Sequence, residues 1–347
     1  MSKINMVGLN NEEMRQLMQS LGESTYRGDQ LFNWIYKKRI RTFDEMSNFS
    51  LRFRQRIAEL ADIGHLRLEK LTSSHSKTTH KFLFRLNDGQ FIESVFMKEG
   101  KRITLCISSQ VGCSLRCAFC ATGKMGFIRN LSVGEIVDQV LFIQQYFGTD
   151  ASNLVFMGMG EPFLNYNRVI AACDIMSDDN GIAIGKRKIT ISTAGIIPRM
   201  EQFIKEGRKY KLAISLNAAD NATRSALMPI NKRYPLPELM QTARLYQEKT
   251  KARPTFEYVL IDGVNDSITD SINLKNLLTG LRCKLNIIPY NSIDTKLKPP
   301  SEQTIDTFIK PFLAMSIVVS VRRSKGTDIN AACGQLYAET LGSENDA

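Results

Sequence analysis

From about residue 103 onward the chain alternates short β-rich apolar runs with amphipathic helical ones, and this alternation limits the fold more than any other feature. The strand-like runs are Ile103–Ile107, Asn153–Met157, Lys188–Ser192, Leu212–Leu216, Thr255–Ile261, Lys284–Pro289 and Ser316–Val321. Helical patterns lie between them, and one opens at Ser132-Val-Gly-Glu135, which has the form of a capping box. A strand that returns through a helix pairs in parallel with its predecessor. The expectation is an α/β fold, a partial (βα)6 TIM-like barrel of about six units. Ligands of such folds sit at the C-terminal ends of the strands.

The residues before this barrel divide in two. Residues 1 to about 75 read as a small helical domain. Asn11 is placed to cap a helix carrying Met14, Leu17, Met18 and Leu21 and ending at Gly22. A second helix begins near Arg27 and puts Trp34, the only tryptophan, in the core, and a third runs from Leu51 to Leu60. Residues 76–102 read as a β-hairpin extension, with Lys81–Leu86 and Phe91–Phe96 flanking the turn Asn87-Asp-Gly-Gln90. The barrel with its C-terminal segment takes 103–340, and 341–347 is a tail.

Net charge is +11, and between Tyr26 and Arg56 eight Lys or Arg face three acids. A basic helical module suits a phosphate backbone, and the plainer reading is the solvated face of a small bundle. No apolar run approaches the ~20 residues of a membrane helix, and the N-terminus has no apolar signal core. A cytoplasmic protein without a membrane partner is expected.

Seven cysteines and no secretion signal argue for reduced thiols rather than a disulfide scaffold. Four of them fall within residues 106–120. Cys113-x3-Cys117-x2-Cys120 lies in the loop after the first barrel strand, and three clustered thiolates call for a metal. A [4Fe–4S] cluster on three cysteines keeps one iron open, where the amino and carboxylate groups of S-adenosylmethionine fit. Zinc, with Cys106 as fourth ligand, is the competing reading. All three histidines precede residue 81 and so lie upstream of the loop.

The cysteine spacing, Phe119 before its last member and the strand–helix repeat resemble the radical S-adenosylmethionine superfamily. Phe156-Met-Gly-Met-Gly-Glu-Pro162, Ile191-Ser-Thr-Ala-Gly195, Ala213-Ile-Ser-Leu-Asn217, Leu227-Met-Pro-Ile-Asn-Lys-Arg-Tyr234, Gly263-Val-Asn-Asp266 and Ala331-Ala-Cys-Gly-Gln335 resemble the RlmN/Cfr family of RNA adenine methyltransferases, over nearly the whole chain. The resemblance implies S-adenosylmethionine contacts from Gly160, Glu161, Ser192, Ser215, Leu216, Asn217 and Asn291. Asn217 replaces a histidine common there among relatives. It implies Cys333 as methyl carrier, and Cys106 as the thiol that takes the ring proton and closes a transient disulfide with Cys333. Glu93 stands where the family places a proton acceptor; by sequence alone it is equally a solvent-facing strand residue. Cys173 and Cys283 read as packing.

The implied activity is C2 methylation of adenine 2503 in 23S rRNA and of adenine 37 in tRNAs. The implied partners are those RNAs and an electron donor such as flavodoxin or ferredoxin, with the enzyme a monomer. The alternatives are Cfr-type C8 methylation of the same rRNA adenine and, from another class, a non-catalytic zinc-containing RNA-binding protein. Pro162 and Phe256-Glu-Tyr-Val-Leu-Ile-Asp-Gly-Val264 resemble the C2 branch.

Overall fold

Ten strands form the main sheet in plain chain order. They are β1 (Arg67–Ser73), β2 (Thr79–Arg85), β3 (Phe91–Glu99), β4 (Arg102–Cys106), β5 (Asn153–Phe156), β6 (Ile189–Thr193), β7 (Lys211–Ser215), β8 (Thr255–Leu260), β9 (Lys284–Pro289) and β10 (Val318–Val321). The computed structural model describes residues 3–294, 296–313, 315–323 and 325–337, so the expected tail 341–347 lies outside the described residues. β1 through β4 pair antiparallel, and β4 through β10 pair parallel. Six βα units and a closing strand therefore make the expected partial barrel, with β1 and β10 as its edges.

The parallel strands β7 and β9 are buried on both faces, as helix-covered strands must be. Leu212, Ala213 and Ile214 of β7 and Leu285, Asn286 and Ile287 of β9 are all buried. The helix after β4 runs Val133–Phe147; Ser132 caps it, accepting from the Glu135 N–H while Glu135 accepts from the Ser132 N–H. Further helices cover the strands at Tyr166–Met176, Ile197–Lys205, Leu236–Thr250, Ile268–Leu278 and Glu302–Ile309.

The N-terminal helices span Asn11–Ser20, Tyr26–Phe32 and Leu51–Leu60. The first is capped by Asn10 rather than Asn11, through a capping box with Glu13. Trp34 is half-buried rather than in the core. Its indole N–H reaches Asn48 and Lys38 stacks on its face, so a polar handle keeps it at the surface. Tyr36 takes the interior place, donating to Leu9 O and accepting from Gly8 N at 2.8 Å each. The helical reading to residue 75 is too long, because Arg67–Ser73 is the strand β1. The module docks on the barrel through Asp138 of the helix Val133–Phe147. That buried carboxylate pairs with Arg41 and accepts from the His65 and Leu66 N–H groups.

Candidate active site

Beyond β4 the chain forms a small ribbon, Gln110–Gly112 against Phe127–Asn130, and the three clustered cysteines lie on the loop it closes. Gly112 has φ +71, and a Cβ there would meet Gly126 O at 1.9 Å, so the ribbon needs glycine to close. The loop is held to the barrel by backbone. Cys113 N donates to Gly126 O at 2.7 Å, and Ala118 N to Leu227 O at 2.9 Å. Burial pushes the Cys113 thiol up to about 12 and raises Cys117 and Cys120, each further raised or lowered by its neighbours. Three soft donors whose ionised form is disfavoured by burial require a cation to become thiolates.

Among the described residues no three Cys, His, Asp or Glu converge on a single metal ion. Three thiols on one short loop are a donor set that suits a [4Fe–4S] cluster with one iron left open. Cys106 does not complete a zinc set. The thiol under its electrostatic influence is Cys333, not a loop cysteine. A cleft of about 480 Å³ opens beside the loop at Arg116, Cys117, Lys124 and Met125.

Gly160 and Glu161 follow β5 in a turn that only glycine can make. Gly160 has φ +98, and a Cβ there would lie 2.5 Å from Gln110 Cβ. The Glu161 carboxylate is buried and holds two loops together. Oε1 accepts from the Phe163 N–H at 3.0 Å and Oε2 from the Ala194 N–H, beyond β6, at 2.7 Å. Burial pushes its pKa up to about 7 despite these donors. A buried carboxylate beside the loop with no cation of its own among the described ion pairs fits the ammonium of a bound amino acid moiety.

Ser192 and Ser215 stand half-buried at the C-terminal ends of β6 and β7. Leu216 is fully buried, its N–H on Glu257 O. Asn217, the next residue, is tied into the fold by its side chain and carbonyl. Oδ1 accepts from Val259 N at 2.8 Å, Nδ2 approaches Met228 Sδ at 3.2 Å, and its carbonyl accepts from Asn265 Nδ2 at 2.8 Å. Its φ of +59 is a left-handed turn that asparagine tolerates.

The residues after β10, Gly326–Tyr337, cross back over the mouth as a strap bearing Cys333. Asn291 Nδ2 donates to Cys333 O at 3.0 Å, and Gln335 Nε2 to Ser292 O at 3.0 Å. The cluster loop holds the strap through Ala121 N to Gly334 O and Thr122 Oγ1 to Leu336 O, both 2.7 Å. Glu93 is buried on β3, not solvent-facing. It pairs with Lys81 at 2.8 Å and accepts from Tyr337 N at 2.8 Å. Cys333 is exposed at the mouth, yet enclosed enough that desolvation raises its thiol pKa. Cys106, Cys120 and Glu257 push it the same way and Arg322 opposes them. Cys106 is buried and its thiol is pushed up to about 12. All seven cysteines are free thiols, so the Cys106–Cys333 disulfide is not formed in this state; Cys173 and Cys283 are buried.

Sequence reasoning missed Arg224, whose guanidinium is fully buried against the loops that follow β6 and β7. A charged residue in a helical pattern reads as solvated, and nothing local marks it otherwise.

The chain matches two protein families: the ribosomal RNA large subunit methyltransferase N-terminal domain at residues 4–63, and the radical SAM superfamily at residues 107–274. A probable dual-specificity RNA methyltransferase RlmN from Alkaliphilus oremlandii is 43% identical over 98% of this chain and 99% of its own length. One of the same description from Thermotoga maritima is also 43% identical, over 98% and 99%. A crystal structure of a radical SAM methyltransferase from Sphaerobacter thermophilus superposes with a TM-score of 0.94, at 40% identity, covering 97% of this chain and all of that one.

Proposed function

The chain belongs to the RlmN family of radical S-adenosylmethionine RNA methyltransferases, and from that premise we propose that it methylates C2 of adenine 2503 in 23S rRNA and C2 of adenine 37 in tRNAs, through a methyl group carried on Cys333. The enzyme uses a [4Fe–4S] cluster and S-adenosylmethionine. Cys113, Cys117 and Cys120 hold the cluster. Bound there, it would supply the one-electron chemistry that cleaves S-adenosylmethionine and allows a hydrogen atom to be taken from a methyl group.

This chain's own residues do the rest. Glu161 pairs with the methionine ammonium, while Ser192, Ser215, the Leu216 backbone and Asn291 line the remaining cofactor. Cys333 takes a methyl group on sulfur, since the electron-poor C2 carbon is a poor nucleophile toward a sulfonium. That S-bound carbon, after giving up one hydrogen atom to the cofactor radical, bonds to C2. As the ring regains its double bond, one electron returns to the cofactor and Cys106 removes the ring proton. The Cys106 sulfur next attacks Cys333 Sγ. The S–S bond forms, the bond from Cys333 Sγ to the bridging carbon breaks, and the electron pair stays with that carbon, which takes a proton.

The observation that carries this reading is the placement of two thiols at one mouth: Cys106 ends β4, and Cys333 lies on the strap that Ala121 and Thr122, next to Cys120, hold by hydrogen bonds. Asn217 also lines the cofactor in this reading, from a left-handed turn after β7 that its own amide ties to β8. The exposed cations of the N-terminal module, Lys37, Lys38 and Arg52, suit RNA phosphates, and the cleft at Cys117 suits reduction from outside by flavodoxin or ferredoxin. Glu93 acts by holding the strap, its carboxylate lying on the Tyr337 N–H and Lys81.

The test is anaerobic turnover of Cys333→Ala and Cys106→Ala with 23S rRNA fragments, followed by denaturing gels and mass spectrometry. Cys333→Ala should neither methylate nor crosslink, and Cys106→Ala should remain joined to RNA by a methylene bridge. Methylation by Cys333→Ala would end the proposal. A product at C8 rather than C2 would move the protein to the other branch.

A further inference from the structure

Arg224 sits in the short helix Asn221–Leu227, whose N-terminus is capped by Asp220. The side chain is 0% exposed and is the largest fully buried one among the described residues. Four of its N–H bonds have acceptors: Leu216 O at 3.0 Å, Asn231 Oδ1 at 2.9 Å, Ala194 O at 2.8 Å and Ser215 O at 3.2 Å. All four acceptors are neutral, and among the described residues the guanidinium forms no ion pair with a carboxylate. A cation taken wholly out of water normally carries an anion with it, because desolvation alone costs several kcal/mol.

Three attachments point to where the anion belongs. Arg224 holds the carbonyl of Ala194, whose N–H is held by Glu161. It also holds the carbonyls of Ser215 and Leu216, at the C-terminal end of β7. The last residue of its helix, Leu227, accepts from Ala118, which lies between Cys117 and Cys120. Burial pushes the pKa of the Arg224 guanidinium down to about 10, and Cys117 acts in the opposite direction, favouring the charge. A [4Fe–4S] core with three thiolates is a net anion, and one electron makes it more so.

We propose that Arg224 is a positioning residue that also acts electrostatically: its guanidinium locks the ends of β6 and β7 beneath the cluster loop, and its uncompensated charge stabilises the reduced cluster. The proposal rests on the cluster at Cys113, Cys117 and Cys120. The guanidinium's fork fits the four oxygens, and its charge, not its shape, sets the potential. A neutral side chain of similar volume keeps the packing and loses the charge; lysine keeps the charge and loses the fork.

The experiment compares wild type with Arg224→Met, Arg224→Gln and Arg224→Lys, reconstituted anaerobically. Iron content is measured first, and the midpoint potential is then followed by electron paramagnetic resonance during a redox titration. The neutral variants should load iron but become harder to reduce, with at least a tenfold lower ratio of reduced to oxidised cluster at a fixed poise, or about 59 mV for one electron. Arg224→Lys should keep a near wild-type potential. Loss of iron from both neutral variants, with Arg224→Lys loading normally, would support the charge requirement by another route. Loaded neutral variants with the wild-type potential would overturn the proposal, as would Arg224→Lys shifting as far as they do or losing iron with them. If wild type itself bound no iron, the cluster reading would fall instead.

Discussion

The barrel mouth and the strap that crosses it each carry one reactive sulfur, and they are held by different kinds of bond. Cys106 ends β4, in register with Val95 of β3 on one side and Val155 of β5 on the other. Cys333 has no ladder. Its segment is fastened by single hydrogen bonds to Asn291, Ser292, Ala121, Thr122 and Glu93, with His75 gripping Asp328 at 2.8 Å farther back. A ladder gives way as a unit, whereas point attachments of roughly 0.5–1.5 kcal/mol each open one at a time. In the proposed mechanism the sulfur that accepts a methyl group and then meets a base is on the part held by point attachments, and the sulfur that waits for it is on the ladder.

The largest test of this contrast is at the rigid side. Replacing any one of Cys113, Cys117 or Cys120 with Ala should remove iron and abolish formation of 5′-deoxyadenosine; full iron with normal output from such a variant would remove the cluster from this loop. Next is the strap. Glu93→Ala deletes the acceptor of Tyr337 N and the partner of Lys81 while leaving the cluster loop alone. Its expected effect is unchanged iron content with amide exchange in Gly326–Tyr337 faster by about tenfold or more, since a buried bond to a charged group is worth roughly 1.5–3 kcal/mol. Unchanged protection there would mean that Glu93 does not hold the strap.

A third effect separates the two regions by pH. Glu161, with its pKa near 7, keeps a proton on the acid side, and that proton must leave before the ammonium can pair. Binding therefore releases a proton, and S-adenosylmethionine affinity should tighten as pH rises through about 7, by at most tenfold per unit. Calorimetry on wild type and Glu161→Gln checks this; an equally steep profile in the variant would exclude Glu161. The smallest effect lies outside both regions. Lys37→Glu, Lys38→Glu and Arg52→Glu should weaken RNA binding and each lower the salt slope by about one without touching iron. Arg39 is a poorer choice for such a test, because it pairs with Asp150 and helps dock the module.

Much of the frame was legible because it is local. The seven parallel strands follow from apolar runs, with Lys284–Pro289 matching residue for residue, and the cluster loop follows from cysteine spacing. β1 was not legible. It is an edge strand whose register shifts between Leu68 and Lys70, and that shift breaks the two-residue alternation that would announce it. The contacts of Asn217 within the fold and the burial of Arg224 were not legible for a common reason. One acts on Val259 and Asn265, the other on Ala194, and those partners are brought together only by neighbouring strands. The burial of Glu93 is of the same kind, because the groups it meets include Tyr337, at the other end of the chain.

A sheet whose ten strands lie in chain order has a consequence for how the molecule is made. Each strand finds its neighbour already present as it leaves the ribosome, so the barrel can grow in one direction without waiting for a distant partner. The strap is different: Asn291, Thr122 and Glu93 must all be in place before it has anything to grip. Cys333 is thus the last cysteine to be synthesised and the last to be seated. By then the loop proposed to take the iron has already been made, so in the proposed mechanism the methyl-carrying thiol reaches the mouth after the three thiols of that loop.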